Sequence, residues 1–207
     1  MAEDFEARAA TWDDDPARRE RTERIARLIR DVVTIDGRPR AVELGAGTGL
    51  LSRLLADQLG PTTLLDASPG MVAAAEQALR DEGINDWTAA VVDLDHDALP
   101  GGPYHLALAQ MALHHIHDVP GVLARLHSAM TPDGRVALAD LDHDAAGLLH
   151  AHKPGFDGHH GFARQQITDW LVAAGFRAVQ LHDAGVIGKE VDGERQRFPL
   201  FLAVARA

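Results

Sequence analysis

Glu43, Gly45, Gly47 and Gly49 place one carboxylate and three alternating glycines between a short apolar run and a stretch of helical periodicity from Leu51 to Leu59. Glycines at alternate positions let a chain reverse tightly and approach a ligand at van der Waals distance. The dinucleotide fingerprint G-x-G-x-x-G would need glycine at position 50, where Leu50 stands. The Glu43 carboxylate would repel a pyrophosphate but suits a ligand carrying an ammonium or sulfonium charge. The loop therefore reads as a nucleotide-cofactor site, with the chemistry pointing away from NAD.

Two more acids follow at strand ends. Thr62-Thr63-Leu64-Leu65-Asp66 reads as a strand, and Asp66 comes about 20 residues beyond the glycines, where a second strand presents an acid to a ribose diol. Ala67-Ser68-Pro69-Gly70-Met71 then turns into a helix, with Ser68 as N-cap and Pro69 at the first helical position. Thr88 to Val92 is a third strand running into Asp93-Leu94. A fourth, Tyr104 to Met111, passes through Gln110-Met111 into Ala112-Leu113-His114-His115-Ile116. Strands alternating with helices predict an α/β fold with a mostly parallel, doubly wound sheet.

The E-x-G-x-G-x-G spacing, with Asp66 and Asp93-Leu94 behind it, resembles the class I S-adenosylmethionine-dependent methyltransferases. Ala112 to Ile116 is similar to the small-molecule branch related to the ubiquinone and menaquinone enzymes, and the likeness extends over about residues 40 to 140. It implies a Rossmann-like sheet of seven strands in the order 3-2-1-4-5-7-6, strand 7 antiparallel, with helices on both faces. It also implies S-adenosyl-L-methionine as cofactor. Asp66 would hold both ribose hydroxyls, Asp93 would accept from the adenine amino group and Leu94 would pack on the ring. Glu43, Gly45, Ala46, Gly47, Gly49, Ala67, Met71, Gln110, Met111 and His115 complete the implied cofactor set. The activity implied is methyl transfer of the general class EC 2.1.1.- to an O, N, C or S nucleophile of a small molecule by in-line displacement. The alternatives are a non-catalytic S-adenosylmethionine-binding partner subunit and an NAD-dependent oxidoreductase.

Composition sets limits on these readings. A chain of 207 residues makes one ordinary domain able to bury a core without staples. With no cysteine there is no disulfide or thiolate metal site, and the family's cysteine-dependent arsenite-methylating branch is excluded. A net charge of -11 argues against a nucleic-acid substrate. Gln110-Met111-Ala112-Leu113 also stands where DNA amino-methylating enzymes carry Asn/Asp-Pro-Pro-aromatic. No apolar run is long enough to span a bilayer, and Met1 to Phe5 lacks a basic region followed by an apolar one. The expectation is a cytoplasmic monomer or homodimer that does not insert into membranes.

Two segments depart from the strand-helix alternation. In residues 1–35, Ile25, Leu28, Ile29 and Val32 recur at helical spacing behind Arg18, Arg19, Arg21 and Arg24, so a helix starts near Pro16. Trp12 precedes it among acids. By the family resemblance Trp12 is a lid residue over the cofactor cleft; otherwise Phe5 and Trp12 anchor a flexible arm. The second segment, residues 141–163, follows the core of residues 36–140 and carries His143, His150, His152, His159 and His160 with Asp142, Asp144 and Asp157. The resemblance makes it a roof over the substrate pocket. Its histidines could bind a divalent metal, although their spacing matches no established site and no metal is assigned. One could instead be a general base, its ordinary pKa of ~6.5 suiting neutral pH. They could also be solvated loop residues in a chain holding 12 histidines. His115, His160 and His159, in that order, are the candidate bases, while His114 and His143 are candidates for the substrate side. His114 has the alternative of a structural histidine satisfied by a carbonyl.

Residues 164–207 complete the fold. Arg164 to Ala174 is a helix stopped by Gly175, and Phe176 to Leu181 a strand. Gly185 to Arg197 reads as a mixed-charge hairpin connection, with Lys189 and Glu190 either lining the substrate side or forming an exposed ion pair, and Phe198 to Val204 is the last strand.

Overall fold

The computed structural model describes residues 6, 8–153 and 155–207; Phe5 and the leading Met1 to Phe5 segment lie outside the described residues. Seven strands form one sheet: β1 (Ala41–Leu44), β2 (Thr62–Asp66), β3 (Thr88–Val91), β4 (Tyr104–Gln110), β5 (Met130–Leu141), β6 (Arg177–Val191) and β7 (Glu194–Arg206). Their order is β3-β2-β1-β4-β5-β7-β6. The pairs from β3 to β5 are parallel, and β7 runs antiparallel to both β5 and β6.

Period-two alternation along each central strand builds two cores. Val42 and Leu44, Ala107 and Ala109, Val136 and Leu138, and Phe201 and Ala203 face one side. There they meet Val122 and Leu126 of helix α4 (Val119–Ser128) and Ile167 and Leu171 of α5 (Arg164–Ala173). Ala41, Leu106, Leu108, Ala137, Ala139 and Leu202 face the other side. Against them lie Ile25 and Ile29 of α1 (Pro16–Val32), Leu51 of α2 (Leu50–Leu54), and Ala75 and Leu79 of α3 (Pro69–Asp81). Helices cover both faces, and near-continuous apolar strands are what a sheet buried on both sides requires.

Local signals set the ends of the elements. Asp15 caps α1 by accepting from the amides of Ala17 and Arg18, and Pro16 is its first helical residue. Ser68 Oγ accepts from Met71 N at 3.2 Å to cap α3, again ahead of a proline. The helix expected over Leu51 to Leu59 ends at Leu54, because Leu55 N turns back to Ser52 O and tightens the chain into successive turns. The expected connection from Gly185 to Arg197 is instead the body of one long β6–β7 hairpin. Its loop is Asp192-Gly193, with φ of 52° and 81°, the two positive values of a type I′ turn. Lys189 and Glu190 make no ion pair with each other; Lys189 Nζ donates to Leu149 O at 2.6 Å.

Candidate active site

A cavity of about 250 Å3 lies at the carboxyl ends of β1 to β4, where open α/β sheets bind ligands. The glycine loop forms its floor, and each glycine answers a different local demand. At Gly45 (φ 60°) a Cβ would run into Ala112 Cβ, and at Gly49 (φ 75°) it would lie 2.5 Å from Leu64 Cδ1. Gly47 instead faces the cavity, where the nearest atoms to an added Cβ are Trp12 Nε1 at 3.7 Å and Met71 Sδ at 3.9 Å.

The acids are built into this floor. Glu43 is only 2% exposed, because alternation along β1 turns it toward α2. Its Oε2 accepts from Ser52 N at 3.1 Å and Ser52 Oγ at 2.5 Å, satisfying an amide near the start of that helix. Burial pushes its carboxyl up to about 7, against the lowering effect of the Ser52 bonds. Asp66 accepts from Gly47 N at 2.7 Å through one oxygen and from Ser68 N at 2.9 Å through the other. Burial raises its pKa too. Asp93 organises its own turn, accepting from Asp95 N at 3.0 Å and lying 2.9 Å from His96 Nδ1. Leu94 beside it is buried at the cavity wall.

The N-terminal turn, Ala9–Asp14, borders the cavity through Trp12 and Asp13. Asp13 accepts from Thr48 Oγ1 at 2.7 Å and pairs with Arg53 at 2.6 Å, so the turn is tied to the glycine loop and to α2. Trp12 lines the cavity, with the Arg18 guanidinium 3.7 Å from its ring centroid and Arg18 Nη1 donating to Trp12 O at 2.7 Å. Glu6 accepts from Ser68 Oγ and Gly70 N, a third attachment of this arm.

On the opposite wall stand Gln110, Met111, Ala112 and His115, which follow β4. Met111 has a φ of 54°, an uncommon left-handed conformation for a non-glycine residue, with its amide held by Ala139 O at 2.8 Å. His114 points away into the protein: its Nδ1 lies 2.7 Å from Asp140 Oδ1, and the two residues are 2% and 0% exposed. His115 is on the cavity side. Burial first, then His114, Lys153 and His150, push its pKa down to about 2, so its imidazole is neutral at physiological pH.

The segment expected to form a histidine roof packs beside the turn after β4, next to His114 and His115. None of the described residues of 141–163 lines the cavity. The segment's ends are tied to one another, Asp144 N to His160 O at 2.7 Å and Phe162 N to Leu141 O at 3.0 Å, so it folds back beside the turn after β4. His143 is exposed and away from the cavity. His159 lies against Phe162 and Trp170, at ring-centroid distances of 5.0 and 6.5 Å. His160 is exposed beside Phe156. Neither lines the cavity. His150 stacks on Phe156 at 3.8 Å and backs His114 and His115, and burial with neighbouring charge pushes it down to about 4. Among the described residues no group of three His, Asp or Glu side chains is arranged to hold a metal ion.

Of the expected cofactor set, Glu43, Gly45, Ala46, Gly47, Asp66, Ala67, Met71, Asp93, Leu94, Gln110, Met111 and His115 all line this one cavity, as does Trp12. Gly49 acts from beneath as the N-cap of α2. Not expected at the site were Asp13, Arg18, Arg21, Thr22, Thr48, Ser68 and Asp95. A signal for Arg21 existed: it precedes Ile25 and Ile29 at four-residue spacing, so a charge continues the buried stripe of α1.

Comparison with known proteins gives the same direction. A family model described as a methyltransferase domain matches residues 17–181. The chain is 33% identical over 144 residues to the biotin biosynthesis bifunctional protein BioCD of Bordetella avium, covering 68% of this chain and 30% of that one. It is 36% identical over 107 residues to the malonyl-[acyl-carrier protein] O-methyltransferase of Magnetococcus marinus, covering 50% and 38%. It thus spans well under two thirds of the length of both relatives. An S-adenosylmethionine dependent methyltransferase from Mesorhizobium loti shares the fold, with a TM-score of 0.70, 20% identity, and coverage of 87% of this chain and 96% of that one.

Proposed function

The chain belongs to the methyltransferase domain family, and from that premise we propose that it transfers a methyl group from its cofactor S-adenosylmethionine to a small-molecule acceptor. The carrying observation is that Asp93, Asp66 and the Gly45–Gly47 loop, at the ends of β3, β2 and β1, line one cavity under a turn tied down by Asp13. That arrangement suits an adenosine followed by a flexible cationic tail, whereas an NAD-dependent oxidoreductase would need a pyrophosphate beside Glu43.

The residues present fit this cofactor. Gly47 opens onto the cavity where any side chain would intrude. A carboxylate offers about four lone-pair sites and Asp66 uses two of them on the Gly47 and Ser68 amides, so each oxygen keeps room for a ribose hydroxyl. Asp93 would accept from the adenine amino group, and Leu94 would pack on the ring. Glu43 places potential negative charge under the cationic centre.

When bound, S-adenosylmethionine supplies a methyl group already activated on a cationic sulfur. The chain then has to align the acceptor and exclude water, and positioning of this kind is worth ~7 to 11 kcal/mol. Trp12 and its turn exclude water. His115 is the member of the candidate trio that borders the cavity, and being neutral it accepts a hydrogen bond and orients the acceptor. With a pKa of about 2 it is a weak proton store. The site is therefore best suited to nucleophiles that need no strong base, such as a carboxylate, a thiolate or a neutral amine. The -11 net charge and the covered cavity favour a small acceptor over nucleic acid. We also assign the chain to the cytoplasm, as a monomer or homodimer; no described helix is long and apolar enough to cross a membrane.

The test is incubation of the purified protein with methyl-labelled S-adenosylmethionine and a metabolite extract. One labelled small molecule is expected by mass spectrometry. Cofactor binding without label transfer to any metabolite would instead support a non-catalytic partner subunit.

A further inference from the structure

Leu113, His114 and His115 form one 3-10 turn, closed by His115 N on Ala112 O and Ile116 N on Leu113 O, each at 3.0 Å. With about three residues per turn, side chains in such a helix leave the axis roughly 120° apart. These three residues therefore face three ways. Leu113 enters the apolar core that α4 covers, His114 turns to Asp140, and His115 takes the remaining direction, toward the cavity. A lone turn does not hold such a phase by itself, because its first hydrogen bond fixes several dihedral angles at once.

The phase is set from β5. Gln110 pairs with Ala139, so the chain leaving β4 emerges beside the end of β5, where Asp140 stands. Asp140 is 0% exposed, and its carboxylate accepts three bonds: from His114 Nδ1 at 2.7 Å, from Leu141 N at 2.7 Å and, through its second oxygen, from His114 N at 3.3 Å. A carboxylate only accepts, so the Nδ1 hydrogen of His114 lies in this bond. The His114 carbonyl is taken as well, by His159 N at 2.8 Å, and Gly158 packs so close to that oxygen that a Cβ there would collide with it. His114 is thus gripped at its ring, its amide and its carbonyl, and the His115 ring rests 4.1 Å from it, centroid to centroid. A buried imidazole–carboxylate pair is a poor device for stability alone, since apolar residues of like volume often do as well or better. What apolar residues would not supply is a fixed direction for the next side chain.

We propose that Asp140 and His114 are a positioning pair, which sets the phase of the turn after β4 and so aims the His115 imidazole at the acceptor. Neither residue lines the cavity, so both act through His115. His114 also stands second only to burial in keeping that imidazole neutral. The assignment rests on the reading of His115 as the group that orients the acceptor, and adds to it the two residues through which β5 holds that group in place.

Asp140→Asn tests it, because an amide leaves one accepting oxygen and sets an NH2 donor against the donors that shared the carboxylate. NMR of the chain carrying isotope-labelled histidine, with the His115 ring assigned from the signals missing in His115→Ala, should show that ring shifting on addition of S-adenosylhomocysteine. In Asp140→Asn the shift should be lost while calorimetric affinity for S-adenosylhomocysteine stays within about twofold, which also shows that the variant is folded around the cofactor. Turnover is then measured on the small molecule that label transfer identifies. Asp140→Asn and His115→Ala should each lower kcat about tenfold, and the double variant should lie within about twofold of His115→Ala, since the pair has nothing to aim once that ring is gone. Losses that multiply in the double variant, or a wild-type ring response retained in Asp140→Asn, overturn the proposal and leave Asp140 a structural residue. A His115 ring that S-adenosylhomocysteine does not shift in the wild-type chain overturns it as well. If the wild-type chain binds S-adenosylhomocysteine but labels no metabolite, the transfer reading fails and takes the proposal with it, an outcome distinct from kcat losses that multiply.

Discussion

Asp66 Oδ2 accepts from the Gly47 amide at 2.7 Å, tying the end of β2 to the middle of the loop that follows β1. Its other oxygen holds Ser68 N at 2.9 Å, so one carboxylate sets both the glycine loop and the entry to α3. The group assigned to the ribose is therefore also the group that shapes its own surroundings.

Asp66→Ala should weaken S-adenosylhomocysteine binding by about 1.5 to 3 kcal/mol, the worth of hydrogen bonds to a charged group. Thermal stability should fall as well, because two loop amides lose their acceptor. Calorimetry and a melting curve on one sample check both, and unchanged affinity removes Asp66 from the site.

Alanine at the two loop glycines should separate shape from contact. Gly47→Ala meets only ordinary van der Waals contacts, Trp12 Nε1 at 3.7 Å and Met71 Sδ at 3.9 Å, and costs chiefly its left-handed backbone, ~1 to 2 kcal/mol. Gly45→Ala pays the same and also collides with Ala112, adding ~1 to 3 kcal/mol of overpacking. Urea unfolding should rank Gly45→Ala below Gly47→Ala in stability, while Gly47→Ala should still impair ligand binding. The reverse order of stability would contradict this geometry.

Glu43 should make stability depend on pH. Below the ordinary carboxylate value of 4.5 it is protonated whether folded or unfolded. Between 4.5 and about 7 the unfolded chain releases the proton and the folded chain retains it, so stability falls as pH rises, and levels off above about 7. At ~1.36 kcal/mol per pH unit the total is about 3 kcal/mol. Urea unfolding from pH 5 to 8 should show that decline in the wild-type chain relative to Glu43→Gln. Parallel curves for the two proteins would refute a raised Glu43.

His115→Ala should lower kcat about tenfold or more with little change in S-adenosylhomocysteine affinity, as expected for a group that orients the acceptor. His159→Ala and His160→Ala should leave kcat within about twofold, since neither lines the cavity. A kcat loss confined to His160→Ala would instead put the 141–163 segment over the acceptor.

The wall of the cavity formed by the glycine loop and the acids was legible in sequence because it rests on local signals: glycines where a Cβ would collide, as at 45 and 49, and acids at the ends of β2 and β3. The placing of residues 141–163 was not. Where 141–163 would lie depended on Asp144 meeting His160, a pairing across a loop that leaves no periodic trace. Asp13 reaches Thr48 and Arg53 over 35 and 40 residues, also invisible to spacing. Other misses were avoidable. Asp192-Gly193 is a strong hairpin signal, and Arg21 on the buried stripe of α1 was a charge in need of a reason.

Calorimetric titration of the intact chain with S-adenosylhomocysteine and, separately, with NAD decides which nucleotide the cavity takes. Saturable binding of S-adenosylhomocysteine at one site per chain and no heat from NAD are expected. Binding of NAD with none of S-adenosylhomocysteine would contradict it.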